Sequence, residues 1–411
     1  MNKKKETLNI IKFFRKTESR ILGSFLRFLK LTSGRKARLC VAAVTAIITL
    51  ILTIICDRIP HSFGNEELTM KKLQLASMLA SGKTKPIPSD ILPVNISFDR
   101  QLTPVNDEYG IPCGVIDVAD RRKLLDFLYR IKDADYAAIA IDIFFDSGMP
   151  AEGDTALFKC INEMKRLTVP VHSDGTISPL IDKKLHSNGD YAVNLISNNF
   201  SKYNFAGADG IPSMAQAIFN NTHNVMDYKP GIFDNTTMIL PLPVLLENSY
   251  TEEGDKVWYN LGADILDVST DEELRNLVKG KRIIIGDYCM NDIHDSYVGY
   301  ISGPAIVINA LTALEEGKAE INIWSILLTF TVYLVIAWFL IMNLTLWKVI
   351  RWNPSPIMNF ILSFIGVGAI LFLLQLAHFM FFSEFHDTLL ATTFLSLYSM
   401  YCQKLNEHYA L

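Results

Sequence analysis

Only six cysteines occur in 411 residues, and no two are spaced as CxxC. Cys40, Cys56 and Cys402 lie in or beside apolar runs, while Cys113, Cys160 and Cys289 lie between those runs. Three cysteines allow at most one disulfide, and without paired spacing there is no cysteine-built zinc site or dithiol redox site. They read as isolated buried thiols. Histidine is equally sparse. His61, His172, His186 and His223 follow no metal-ligand spacing. His294 has Asp295 beside it, without the further His and Asp a metal-dependent phosphohydrolase needs. A P-loop, a dinucleotide fingerprint and a nucleophile elbow are all missing. These absences set aside the common NTPase, dehydrogenase and hydrolase classes, and the sequence implies neither a cofactor nor a metal.

Charge is missing from four stretches, and that decides the broad class. Residues 39–56, "LCVAAVTAIITLILTIIC", contain no charged side chain. At about 1.5 Å per residue such a helix nearly crosses a hydrocarbon core of about 30 Å. Residues 321–346, 357–382 and 388–403 are also almost free of charge. The sequence thus predicts one transmembrane helix, a large insert over 57–320, and three further transmembrane helices. Seven Lys and five Arg against two Glu in residues 1–38 place that leader in the cytoplasm. Lys348 and Arg351 then fall in a cytoplasmic loop, and the 383–387 turn, without Lys or Arg, faces out. Lys404, in the 404–411 tail, faces in. The expected location is the cytoplasmic membrane, with both termini inside and the insert outside. A basic leader this long, with no small-residue cleavage site, reads as an uncleaved anchor. Ile55 occupies the position before Cys56 where lipidation needs a small residue. The leader fits either a basic amphipathic helix on the inner membrane face or a basic tail that only sets topology.

Cations are scarce in the insert. Of 39 Lys and Arg and 43 Asp and Glu in the chain, the leader holds 12 and two, and the segment after 320 holds three and three. That leaves 24 against 38, a formal charge of about −14, which does not suit nucleic acid.

Within the insert, strand and helix signals alternate. "ILPVNISF" (91–98), "AAIAIDIFF" (137–145), "LTVPV" (167–171), "YAVNLI" (191–196) and "KRIIIGD" (281–287) read as strands. "DRRKLLDFLYRIK" (120–132) places Leu124, Phe127, Leu128 and Ile131 on one helical face behind a capping Asp120. "DTALFKCINEMK" (154–165) does the same with Leu157, Ile161 and Met164 behind Asp154. "PAIVINALTALEEG" (304–317) has Pro304 in its first turn and Gly317 as its stop. The expected class is an α/β domain with a largely parallel sheet and flanking helices, plus four α-helical membrane segments. Antiparallel additions are expected in 197–260. "GADG" (207–210) and "GVIDV" read as turns. The last insert helix ends only a few residues before Ile321, so its movement would reach the membrane segments.

Ligands of such sheets collect outside the carboxyl ends of the strands. The acids expected there are Asp99, Asp142, Asp146, Asp287 and Asp295. A cation, a polyol or a basic group suits such a lining. Asp154 is most simply a helix cap, and Asp146 fits a turn. Asp142 interrupts an otherwise apolar strand and needs partners, with Arg121 or Arg122 as candidates. These seven residues (Asp99, Arg121, Arg122, Asp142, Asp146, Asp287 and Asp295) form the candidate ligand-binding set, with no catalytic residue among them. In the spans, Gln375 and His378 are expected to make interhelical hydrogen bonds.

Several pieces then carry a resemblance: "ISFD" ending at Asp99, "DRRKLLDFLYRIKDADYAAIAIDIFF", "EGDTAL", "IPSMAQAIF" (211–219), "WYNLG" (258–262), "DVSTDEEL" and "KGKRIIIGD", with Asp295 after the last strand. In their order, and with one span before and three after, they resemble the second type of CHASE domain, an extracytoplasmic sensory domain associated with cyclases and histidine kinases. The chain departs from that pattern at "PAIVINA", where Ala305 and Asn309 stand for a glycine and a histidine, and at "GIPCGVIDVAD". The resemblance implies a non-enzymatic membrane sensor. It would bind an extracytoplasmic ligand and signal to a separate membrane or cytoplasmic partner carrying the output. The alternative is a scaffold or accessory subunit of an envelope complex. A second copy of the chain is an admissible partner.

Overall fold

The computed structural model describes residues 35–59, 61, 69–73, 87–106, 109, 111–173, 175–193, 199–206, 210–225, 237–242, 257–318, 322–342, 355–382 and 384–409. The expectations for residues 1–34, for 194–196 of "YAVNLI", for most of "GADG" and for the loop with Lys348 and Arg351 lie outside the described residues. The chain divides into two compact units, Asp57–Ile321 and Met1–Cys56 with Asn322–Leu411.

The first unit is mixed α/β. Its strands are β1 (Ile91–Asn95), β2 (Arg100–Asn106), β3 (Pro112–Ala119), β4 (Ala138–Asp142), β5 (Leu167–Val171), β6 (His186–Asn188), β7 (Ala192–Val193), β8 (Phe200–Asn204), β9 (Thr237–Ile239), β10 (Tyr259–Asn260), β11 (Arg282–Gly286), β12 (Ile293–Ser296) and β13 (Gly299–Ser302). Six of them form one sheet in the order β10-β1-β11-β4-β5-β6, parallel at every pairing. The 197–260 region supplies β8 and β9, which pair antiparallel in a second sheet with β7, β12 and β13. The "GVIDV" stretch is not a turn. It lies in β3, whose antiparallel ladder with β2 closes a hairpin that satisfies its backbone groups.

Counting helices from the first membrane segment, which is α1, three helices cover one face of the parallel sheet: α2 (Arg121–Ile131), α3 (Asp154–Glu163) and α5 (Asp271–Val278). Each follows a strand and precedes one further along the sheet in the same direction, so right-handed crossovers place all three on one side. Leu124, Phe127, Leu128 and Ile131 of α2 pack there against Val94, Ile141 and Ile285. Asp120 caps α2 by accepting from the N–H groups of Arg122 and Lys123. The opposite face carries α4 (Met214–His223), capped by Ser213, and α6 (Gly303–Glu315), which pack on each other. The strand side chains beneath them are small (Ala138 and Ala140 on β4), which lets α4 lie close to the sheet.

The second unit holds α1 (Arg35–Arg58), α7 (Ile323–Ile341), α8 (Pro356–Phe382) and α9 (Leu389–Tyr409). Segments Arg38–Arg58, Ile323–Ile341 and Ile357–Phe382 are long and apolar enough to cross a membrane. By composition this is a membrane protein. The α9 helix runs on past residue 403 through most of the expected tail, and its polar "QKLNEH" end lowers its apolar length. Buried polar groups pair across helices: Thr53 Oγ1 with Tyr333 Oη at 2.7 Å, and Ser363 Oγ with Ser399 Oγ at 2.7 Å. His378 Nε2 lies 2.9 Å from Thr329 Oγ1, and Gln375 Nε2 donates to the His386 carbonyl at 2.8 Å. His378 thus takes the interhelical role expected of it, whereas Gln375 bonds the segment that leads into α9.

Candidate functional site

Two adjacent strands of the parallel sheet send their chains to opposite faces. After β4 the chain turns to α3, and after β11 it passes through β12 and β13 to α6. That divergence opens a crevice between their carboxyl ends, which is where ligands of open α/β sheets sit. A cleft of about 760 Å³ lies there.

Asp142 is the last residue of β4 and pairs in register with Gly286, the last of β11. The strand stops at Asp142 rather than running on to Phe145, so the acid ends the strand instead of interrupting it. Its alternation with Ala138 and Ala140 aims it at the α6 side. The expected arginine partners are engaged elsewhere. Arg121 is buried and its Nε lies 2.8 Å from Asp154, while its Nη1 donates to the Ala119 carbonyl. Its guanidinium also sits over the Phe145 ring, 4.8 Å from the centroid. Arg122 is exposed and pairs with Glu152, away from the cleft. Asp142 Oδ2 is sealed from solvent with no hydrogen-bond partner. Burial and the nearby Asp292 carboxylate push the Asp142 carboxyl well above the usual carboxylate range.

Asp287 follows β11 directly and has the opposite surroundings. Its oxygens accept from Ser97 Oγ at 2.6 Å and from the N–H groups of Cys289, Met290 and Asn291 at 3.1, 2.8 and 3.1 Å. Burial works against its charge, but these donors outweigh burial and hold its carboxyl below the usual range. Arg100 Nη1 stands 3.8 Å away.

The other expected acids separate. Asp295, on β12, is exposed and lines the cleft. Asp99 does not. It is buried and structural, bonded to Lys123 Nζ at 2.6 Å and to the Gly262 N–H at 2.9 Å. Asp146 accepts from the Gly148 N–H at 2.8 Å in a tight turn and is also outside the lining. Asp154 is not the cap of α3. That position is Gly153, with φ 97°, and Asp154 opens the helix, accepting from the Ala151 N–H at 2.7 Å and pairing with Arg121. Of the three insert cysteines, Cys160 alone is buried, and none of the six in the chain forms a disulfide.

Sequence reasoning missed several lining residues. Asp292 accepts or donates at His294 Nε2 over 2.8 Å, so the histidine pairs with Asp292 and not with its neighbour Asp295. His172 pairs with Asp190 at 3.1 Å. Arg100 and Asp117 face each other across the β2–β3 hairpin at 3.3 Å. Tyr191 and Phe144 place rings against His294 and His172, each at 4.9 Å between centroids. A signal existed for Asp292, which stands two residues before His294. None existed for Asp190, whose segment carries no strong periodicity. Among the described residues no group of three or more His, Cys, Asp or Glu is placed to hold a metal ion.

The fold and cleft define a mixed α/β domain with a polar crevice at the switch point of its parallel sheet, in a chain with three membrane-length apolar helices among the described residues. Comparison with known proteins gives no matching family model, no matching curated protein and no matching solved structure.

Proposed function

We propose that the protein is a membrane-anchored sensor whose α/β domain binds a small molecule in this cleft and signals to a separate partner. The observation that carries the reading is Asp142, an unpartnered and partly sealed carboxyl lining a cleft at the switch point of the sheet. A buried polar group without a partner costs stability, and a ligand donor in the cleft would supply that partner. The resemblance to the second type of CHASE domain supports the same reading. So does the proposed topology of four spans, both termini in the cytoplasm and residues 57–320 outside the inner membrane. Transmission runs through α6, which begins beside the cleft and leads in sequence to α7. We read the protein as a binder rather than an enzyme: among the described residues neither His172 nor His294 hydrogen-bonds a hydroxyl or thiol that could serve as nucleophile.

The test is a thermal-shift screen of the detergent-solubilised full chain against a metabolite panel, beside an Asp142→Ala variant. One ligand class should raise the wild-type melting temperature and leave the variant unmoved. A panel that shifts neither, with both equally stable, counts against a binding site here. The scaffold reading has one observation in its favour. The β2–β3 hairpin exposes Leu102, Tyr109, Ile111 and Val115, each more than half accessible, which suits a protein partner or a second copy. Crosslinking in membranes that recovers a stoichiometric partner in the absence of ligand would favour it.

A further inference from the structure

The lining of the cleft is strongly unbalanced. Six aspartates (Asp117, Asp142, Asp190, Asp287, Asp292 and Asp295) meet two arginines. Both arginines already hold carboxylates, Arg100 with Asp117 and Arg121 with Asp154, and each lining histidine is paired with an aspartate. An anionic ligand would have to break one of these pairs. A cation finds an open carboxyl in Asp142.

We propose that the cleft binds a small organic ammonium ion, seated between Asp142 and Asp292 and flanked by the Tyr191 and Phe144 rings. This rests on the sensor reading and names the ligand class of the same site. The geometry carries it at four points. Asp142 lines the cleft, and its buried Oδ2 has no hydrogen-bond partner. The groups within electrostatic reach of Asp142 are the Asp292 carboxyl and the Tyr191, Tyr203 and Tyr288 hydroxyls. Two of those hydroxyls are engaged elsewhere: Tyr288 donates to the Ile284 carbonyl at 3.0 Å, and Tyr203 accepts from the Ala215 N–H at 3.3 Å. Aromatic faces beside paired carboxylates are the usual surroundings of a bound ammonium group. The cleft, about 760 Å³, also falls in the range of small-molecule sites and far exceeds what a bare metal ion fills.

The arrangement reaches α6. The Asp292 carbonyl accepts from the Gly303 N–H at 2.9 Å, and its Oδ2 comes so close that a Cβ on Gly303 would stand 2.1 Å from it. Gly286 is equally tight: a Cβ there would lie 2.4 Å from Pro304 Cγ and 3.2 Å from Asp142 Cβ. Asp142, Gly286, Pro304, Gly303 and Asp292 therefore form one contiguous stack at the start of α6. An ammonium drawing Asp142 and Asp292 onto its N–H groups acts on the first turn of that helix. A cation beside Asp142 favours its charged form, so Asp142 ionises on binding. Asp142 passes its proton to solvent, and affinity rises with pH across the range in which the free site holds that proton.

The experiment is isothermal titration calorimetry on the solubilised full chain. The probes are 1,4-diaminobutane, its neutral counterpart 1,4-butanediol, the dianion succinate, and Mg²⁺, each in buffers of differing ionisation enthalpy. The diamine should bind at least about tenfold more tightly than the diol or succinate and release up to about one proton per site. Asp142→Asn should weaken the diamine at least about tenfold and abolish proton release, with no fall in melting temperature. Asp292→Asn should weaken binding as well, and replaces the first variant should that one not fold. Equal or better binding of the diol, succinate or Mg²⁺ overturns the proposal, as does proton release that survives Asp142→Asn. A ligand from the metabolite panel that stabilises the protein without carrying positive charge overturns this inference and leaves the sensor reading standing. Stabilisation by no ligand at all overturns both.

Discussion

The carboxyl ends of β4 and β11 are neighbours in one sheet and each presents an aspartate, yet the two acids live in opposite surroundings. Asp287 follows its strand by one residue, where the chain bends back and aims three backbone N–H groups and the Ser97 hydroxyl at it. Asp142 ends its strand pointing at the other face, beside small residues and a second carboxylate, with no donor in reach of Oδ2. The residue type is the same; the local backbone presents donors to Asp287 and none to Asp142 Oδ2. A carboxylate held by a loop's own amides is architecture. One left without a donor in the lining of a cleft has a hydrogen bond to give a ligand.

Breaking the satisfied acid should give the largest effect. Asp287→Ala strands four donors and is expected to destabilise the domain by about 2–4 kcal/mol, read as a fall in melting temperature. Because the folded carboxyl sits below its unfolded value, the wild-type advantage is present above about pH 4 and vanishes as pH falls through the folded value. A variant gap unchanged at low pH would show that Asp287 acts through packing alone. Gly286→Ala comes next, because its Cβ meets Pro304 and Asp142 together. About 1–3 kcal/mol of destabilisation is expected, together with a shifted pH dependence at Asp142, and a neutral result would mean that α6 is not packed firmly on β11. The smallest and sharpest effect belongs to Asp142→Asn. A carboxyl whose folded value is raised binds its proton more tightly folded than unfolded, so wild-type stability falls as pH rises from about 4 toward the folded value. The variant lacks this loss. It should match wild type in acid and exceed it increasingly toward neutrality in unfolding series at several pH values. A wild type that gains on the variant as pH rises would place a hidden donor on Asp142.

Much of the fold was legible. Leu124, Phe127, Leu128 and Ile131 repeat at helical spacing, and all four are buried against the sheet. "RIIIG" and "AIAID" are apolar on both alternating faces, as strands covered on both sides must be, and both lie inside the parallel sheet. The failures were local in a different way. The β3 strand is exposed along most of its length, so the burial pattern that reveals a strand was absent. The cap of α3 was assigned to the residue type that usually caps, whereas Gly153 takes the left-handed conformation and frees Asp154 for Arg121.

The candidate site was legible only in part. Asp287 stood out because it follows an apolar strand, and Asp142 because it interrupts an apolar run of the sequence. Asp190, Arg100 and Tyr191 did not, because nothing near them in the chain sets them apart, and Asp292 was passed over although His294 stands two residues on. By itself the sequence determined which segments are long and apolar enough for a membrane, which helix faces turn inward and where several helices begin. Those properties depend on residues within a turn or two of one another. Only the tertiary structure decided which acid meets which donor. Ser97 and Asp287 are 190 positions apart, and Arg121 chose Asp154, 33 positions away, over Asp142. Such pairings follow from strand order and crossover direction, which bring distant chain segments to one end of a sheet after the local rules have already been satisfied.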